Sequence, residues 1–269
     1  MIVKPPHRLR ERRSVRDLIR PTEELARRSQ HLFAAHLEFQ GPHGERVTMP
    51  RFLFAGPGSA GASFLRVGIF GGLHGDEESS VLGALAFIDR LYRNPELARG
   101  YELFIYPVCN PTGFADDTRW SRNGLDLNRE FWRDSSEPEV MLLERQLSNL
   151  QFDGLIALHS DDTSDGLYGF INGHALTRHV LEPALARAET VLPRNFDKSI
   201  DNFQANEGII ESGYPGVLSA PPTQHPRPLE IVFETPQLTP MDKQVEAHCL
   251  ALEEMLLRYR AVISEAQSI

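Results

Sequence analysis

The chain has 269 residues, 41% hydrophobic and 24% charged, with a formal net charge of −9. That size suits one large α/β domain with a sizeable core, and the acidic balance argues against a nucleic-acid binder. No apolar run approaches the roughly 18 residues of a membrane span, and Cys109 and Cys249 alone make no disulfide framework, so a soluble cytoplasmic protein is expected.

Charge is uneven along the chain. Residues 1–28 carry nine Lys and Arg against four acids. They read as a basic, solvated leader and first helix, with a basic arm that touches a polyanion as the alternative. "PTEELARRSQ" (21–30) reads as a short helix with proline at its start. Residues 31–58 read as two extended runs joined by a Gly/Pro turn, an antiparallel hairpin. "FLRVGIF" (64–70) is a continuous apolar strand of the kind buried on both faces. Apolar residues at 81, 82, 85, 88 and 91 form a helical stripe ended by Asn-Pro. A strand at 101–108, a helix at 137–150 and a strand at 153–159 follow. Residues 175–190 read as helix, 191–228 as irregular, 228–235 as strand and 241–265 as a closing helix. The alternation implies a largely parallel sheet between helices, made mixed by the hairpin.

"GPGSAG" (56–61) matches a dinucleotide-binding pattern, but a strand follows where that motif needs a helix, so it reads as a turn. The pairs His31/His36 and His174/His179 are five apart, about 140° on a helix, and do not chelate there. The chemistry gathers elsewhere. In "IFGGLHGDEESS", His74 and Glu77 follow a buried strand, at the carboxyl end where open α/β sheets bind ligands. The same residues could serve as an acidic helix start. His159 ends the strand "DGLIALH", so two imidazoles and a carboxylate can converge on one tetrahedral ion with a position left for water. Glu234 ends the apolar strand "PLEIVFET", where an acid is costly without a partner or a task. "RWSRNGLDLNREF" gathers Arg119, Arg122, Asn128 and Arg129 beside Asp126, a set suited to holding a carboxylate or to surface ion pairs.

"HGDE", "NPTGF", "RWSRNGLDLNREF", "LHS" and "FETP" stand in the order and spacing of the zinc metallocarboxypeptidase family, which the chain resembles over residues 64 to 240. The resemblance implies a single-domain, mixed, mostly parallel eight-stranded sheet sandwiched by helices. Residues 51–269 would form the catalytic domain, with the leader, short helix and hairpin start of 1–50 packed on it. One zinc per chain would be held by His74, Glu77 and His159, with Asp126 orienting His74. Arg119 would polarise the scissile carbonyl, with Arg122 as its competitor. Asn128 and Arg129 would grip a substrate carboxylate, with Ser160 and Tyr214 also at the substrate. Glu234 would be the general base. The expected activity is hydrolysis of an amide beside a free carboxylate in a small peptide, with no nucleic-acid or membrane partner.

The same scaffold has a deacylase branch, resembling aspartoacylase and succinylglutamate desuccinylase, which cleaves N-acyl amino acids. Two features weigh against it. That branch has an acid two residues before its second histidine, here Ala157, and a further β-rich domain after the base, where only 35 residues follow Glu234. A catalytically silent binding protein on the same fold is the reading from another class.

Overall fold

The computed structural model describes residues 12–58, 63–171 and 175–266. Part of the basic leader, part of the 56–61 turn and His174 therefore lie outside the described residues. Helix α1 (Val15–Arg28) begins at Ser14, whose side chain accepts from the Asp17 N–H. The reading of 21–30 is corrected here: Pro21 lies inside this helix and does not start it. Strands β1 (Leu32–Gln40) and β2 (Arg46–Ala55) form the expected antiparallel hairpin. Then come β3 (Leu65–Phe70), α2 (Glu78–Arg93), β4 (Tyr101–Tyr106), the short α3 (Pro111–Asp116) and α4 (Pro138–Leu150). β5 (Gly154–Asp161), β6 (Tyr168–Ile171), α5 (Ala175–Ala188), β7 (Ser199–Ile200), β8 (Phe203–Asn206), β9 (Ile209–Ile210), β10 (Leu229–Pro236) and α6 (Met241–Ala266) complete the chain.

The described strands make one sheet in the order β1-β2-β4-β3-β5-β10-β6-β9-β8-β7. β4, β3, β5 and β10 are mutually parallel and form its centre. The sheet has ten strands, not eight. The excess comes from β6 to β9, pieces of two to four residues that extend the sheet beyond β10, part of them within the stretch read as irregular.

The central strands are apolar on both faces because both faces are covered. One face packs on α1, α2, α5 and α6, with Val67, Ile69, Ile156, Leu158, Ile231 and Phe233 from the strands. The other packs on α4 and the loops around residues 127–132 and 218–220, with Phe70, Leu155, Ala157 and Val232. Alternation along each strand therefore decides which side chains meet the loop-covered face. Among the described residues no helix is long and apolar enough to cross a membrane.

Candidate metal and active site

The site forms where β3, β5 and β10 end. β3 runs into a loop that passes close to α3, and residue 75 must be glycine there: a Cβ would stand 2.0 Å from the Gly113 carbonyl carbon. His74 projects from this loop. Glu77 is the N-cap of α2, yet its carboxylate makes no capping bond and serves the site instead. Its Oε1 lies 2.5 Å from His74 Nδ1 and its Oε2 lies 2.9 Å from His159 Nδ1. The Ser160 N–H donates to the same Oε2 at 3.1 Å. All three residues are buried, and one donor atom from each lies within 4.8 Å of the others. Two imidazole nitrogens and a carboxylate at this separation, with both Nδ1 atoms turned to one point, fit a divalent cation with three protein ligands.

On its far side, His74 Nε2 meets Asp126 Oδ1 at 3.0 Å. Asp126 Oδ2 accepts from Arg119 at 2.9 Å and 3.2 Å, so one carboxylate fixes both the ring and the guanidinium. His159 lacks such support. Its Nε2 is buried without a partner among the described residues, as is the Ser160 hydroxyl. The position two before His159 on the same face is Ala157, which offers no acceptor.

The charges follow from this packing. Burial opposes a charged imidazole, but Glu77 and Asp126 outweigh it and raise the His74 pKa to about 9. Burial also opposes the Glu77 carboxylate, and the two imidazoles overcome it and hold Glu77 well below the usual carboxylate range. For His159 burial prevails, and its pKa falls. Glu234, which pairs in register with His159 across β10 and β5, behaves in the opposite sense to Glu77. Burial first, then the neighbouring Glu77 and Asp161, push its pKa well up.

Asn128 and Arg129 line the same cleft from a short 3-10 turn, Leu127–Arg129. The segment Tyr214–Leu218 is tied against them. Leu218 N–H donates to Asn128 Oδ1 at 2.9 Å and Phe131 N–H to Gly216 O at 3.0 Å. Gly216 has φ +79, and a Cβ on it would stand 2.2 Å from Arg129 O. Arg129 carries its guanidinium 4.1 Å from the Tyr214 ring centroid, and among the described residues no carboxylate pairs with it. The Tyr214 hydroxyl bonds Asp201 Oδ1 at 3.0 Å. Arg122 is occupied elsewhere, by Asp116 at 3.0 Å and Glu45 at 2.5 Å, and does not line the cleft.

The cleft holds about 400 Å³ and also takes in Asp161, Tyr168, Phe170, Asp201 and Gln237. None of these was singled out from the sequence. Asp161 stands in the polar run "SDDTSDG" that follows His159, a signal that could have found it. Tyr168, Phe170 and Asp201 arrive through β6 and the turn between β7 and β8, elements with no readable pattern.

Residues 63–197, half of the chain, match the profile described as succinylglutamate desuccinylase/aspartoacylase catalytic domain. The chain belongs to that family. The match spans the three candidate metal ligands and the arginine loop and stops before Glu234. It falls on the deacylase branch, against the expectation drawn from Ala157. Among solved structures, a "putative metallopeptidase" from Shewanella amazonensis is 24% identical over 89% of each chain, with a TM-score of 0.70. A metallo-carboxypeptidase from Burkholderia cenocepacia is 16% identical over 93% of this chain and 70% of its own, also at 0.70. Bovine thrombin-activatable fibrinolysis inhibitor, in complex with tick carboxypeptidase inhibitor, is 16% identical over 91% and 96%, at 0.66. At these identities the likeness is one of fold. No curated protein matches the chain.

Proposed function

We propose that this protein is a metal-dependent hydrolase that cleaves an amide beside a free carboxylate, in the manner of a metallocarboxypeptidase. The observation that carries this reading is the convergence of His74, Glu77 and His159 beside Glu234, with Arg129, which has no carboxylate partner among the described residues, in the same cleft. The donor set suits zinc, with His74, Glu77 and His159 as the ligands. When bound, a zinc ion supplies Lewis-acid polarisation of water and of the scissile carbonyl.

The rest is work for side chains. Arg129, with Asn128, holds the substrate carboxylate, since a guanidinium fork matches it bidentately. Tyr214 and Ser160 border that position. Arg119, fixed by Asp126, donates to the carbonyl oxygen as charge develops on it. Asp126 keeps the His74 ring in place through Nε2. Glu234 takes a proton from the attacking water and delivers it to the leaving nitrogen, a role suited to a carboxylate whose proton affinity burial raises.

The second reading, deacylation of N-acyl amino acids, is favoured by the family match. Both use the same groups and differ in the acyl half of the substrate. The test is a screen of dipeptides, tripeptides and N-acetyl amino acids, each with free and amidated carboxyl termini, on protein stripped with a chelator and reloaded with zinc. Zinc-restored cleavage of the free forms alone supports the reading. Cleavage that ignores the carboxylate, or that survives chelation, contradicts it. Metal-loaded protein that binds these compounds and cleaves none is the silent binding protein.

A further inference from the structure

Behind the candidate metal ligands, on the face of the sheet that α2 and α6 cover, an otherwise apolar layer holds a knot of polar side chains. Glu234 and His159 point into the cleft, so Thr235, the next residue on β10, points the other way. Gln244 and His248, four apart on one face of α6, meet Thr235 there. None of the three is more than 1% exposed. The His248 ring stands 5.7 Å from the Phe233 ring, and α2 comes so close that residue 83 must be glycine: a Cβ there would stand 2.7 Å from His248 Cβ. An imidazole is a costly choice for such a place. Burial holds its pKa down at about 3, so the ring is neutral, and its Nδ1 has no partner among the described residues. Packing alone would favour leucine.

The hydrogen bonds supply the reason. The Gln244 amide nitrogen donates to Gln237 O at 3.0 Å and to Thr239 O at 2.7 Å, which leaves its Oε1 as an acceptor toward Thr235. Thr235 Oγ1 lies 3.4 Å from that Oε1, 3.4 Å from His159 O and 3.3 Å from His248 Nε2. A hydroxyl has one proton to give, and two of these three neighbours only accept. His248 Nε2 is therefore the donor, and the Thr235 proton is left for the two acceptors. This matters for His159, whose ring has no acceptor at Nε2 and whose main chain must hold it in place. The same turn of α6 reaches the loop of the other two ligands. Gln244 pins the 237–239 turn, where the Gln237 N–H donates to Asp161 O at 2.9 Å and its Nε2 donates to Asp76 O at 3.2 Å, between His74 and Glu77.

We infer that His248 is a positioning residue of the metal site: through Thr235 it fixes the strand ends that present His159 and Glu234, beside the Gln244 link to the metal loop. This rests on His74, Glu77 and His159 being the metal ligands, and it needs no particular substrate.

The test compares wild type, His248→Leu, His248→Gln, His248→Asn and Thr235→Val as apo, zinc-loaded and cobalt(II)-loaded protein. His248→Leu should lose zinc affinity by about tenfold, the low end for removing a partner behind a metal ligand. Its cobalt(II) visible bands should shift, while the melting temperature of the apo protein stays at or above wild type, because a buried nitrogen without a partner has gone. His248→Gln carries an N–H to where Nε2 stood and should return zinc affinity to within about threefold of wild type. Asparagine reaches only as far as Nδ1 and should not. Thr235→Val breaks the same link, so it should match His248→Leu, and the double variant should lose little more than either single one. Should His248→Leu not fold, Thr235→Val carries the comparison, with Thr235→Ser restoring the hydroxyl. A lower apo melting temperature with wild-type zinc affinity and cobalt spectrum makes His248 a packing residue and overturns the inference, as does asparagine rescuing as well as glutamine. The expected metal pattern in a protein that cleaves no compound of the screen supports the inference and sinks the hydrolase reading. Wild type that binds neither metal removes both.

Discussion

Replacing Glu234 by glutamine separates a catalytic carboxylate from a structural one, because the two roles predict opposite changes in stability. Burial, then Glu77 and Asp161, raise the pKa of Glu234 in the folded protein. A carboxyl group whose folded pKa lies above its unfolded value binds its proton more tightly when folded. Its ionised form therefore costs stability, increasingly as pH rises from the unfolded pKa toward the folded one, and fully above it. Glutamine keeps the size and removes the charge. At pH 7–8, in chelator, Glu234→Gln should melt above wild type. Relief worth about 1 kcal/mol corresponds to roughly 2–4 °C in a chain of this order of size. Turnover on any substrate from the screen should fall by roughly 10² to 10⁴, the range for losing a general base, while zinc content is retained. The assay is a chelator-treated melt by circular dichroism beside kcat on the zinc-loaded protein. A lower melting temperature with turnover intact would make Glu234 a structural residue and refute the assignment.

Arg129→Lys should lower kcat/KM by about 100-fold, because an ammonium reproduces neither the bidentate fork nor the stacking on Tyr214. Steady-state kinetics check this, and a loss under about threefold would remove Arg129 from carboxylate binding. Metal affinity should depend on pH through His74, whose raised pKa of about 9 means that a cation displaces a proton below that pH. Competition against a chelating dye at pH 6.5, 7.5 and 8.5 should show affinity rising by roughly tenfold per unit, and a flat profile would contradict the geometry around His74 Nδ1.

The strands that carry the candidate site were legible because they are buried on both faces. Continuous runs such as "LRVGIF" and "GLIALH" suit a covered sheet, and the polar residues at or just after their ends mark the candidate site. His159 and Glu234 end such runs and His74 and Glu77 follow one, which made them candidates, with Arg119, Asn128 and Arg129 added from one arginine-rich loop. The pieces missed were short. β7 and β9 have two residues each and β6 has four, too few for any period to register. β6 nonetheless supplies Tyr168 and Phe170 to the wall of the cleft, and the turn after β7 supplies Asp201. Arg122 shows the converse limit. Its loop pointed to the site, but Asp116 and Glu45, six and 77 positions away, draw it elsewhere. Pro21 misled for a local reason: it suits the first turn of a helix, yet here Ser14 caps the helix seven residues earlier.

Everything proposed for this cleft depends on His74, Glu77 and His159 holding a metal ion. Elemental analysis by inductively coupled plasma mass spectrometry, on wild type, His74→Ala and His159→Ala purified alike and loaded with zinc, tests it most directly. Wild type should hold close to one zinc per chain and both variants should lose most of it, with folded circular dichroism spectra. Equal zinc in all three proteins would contradict it.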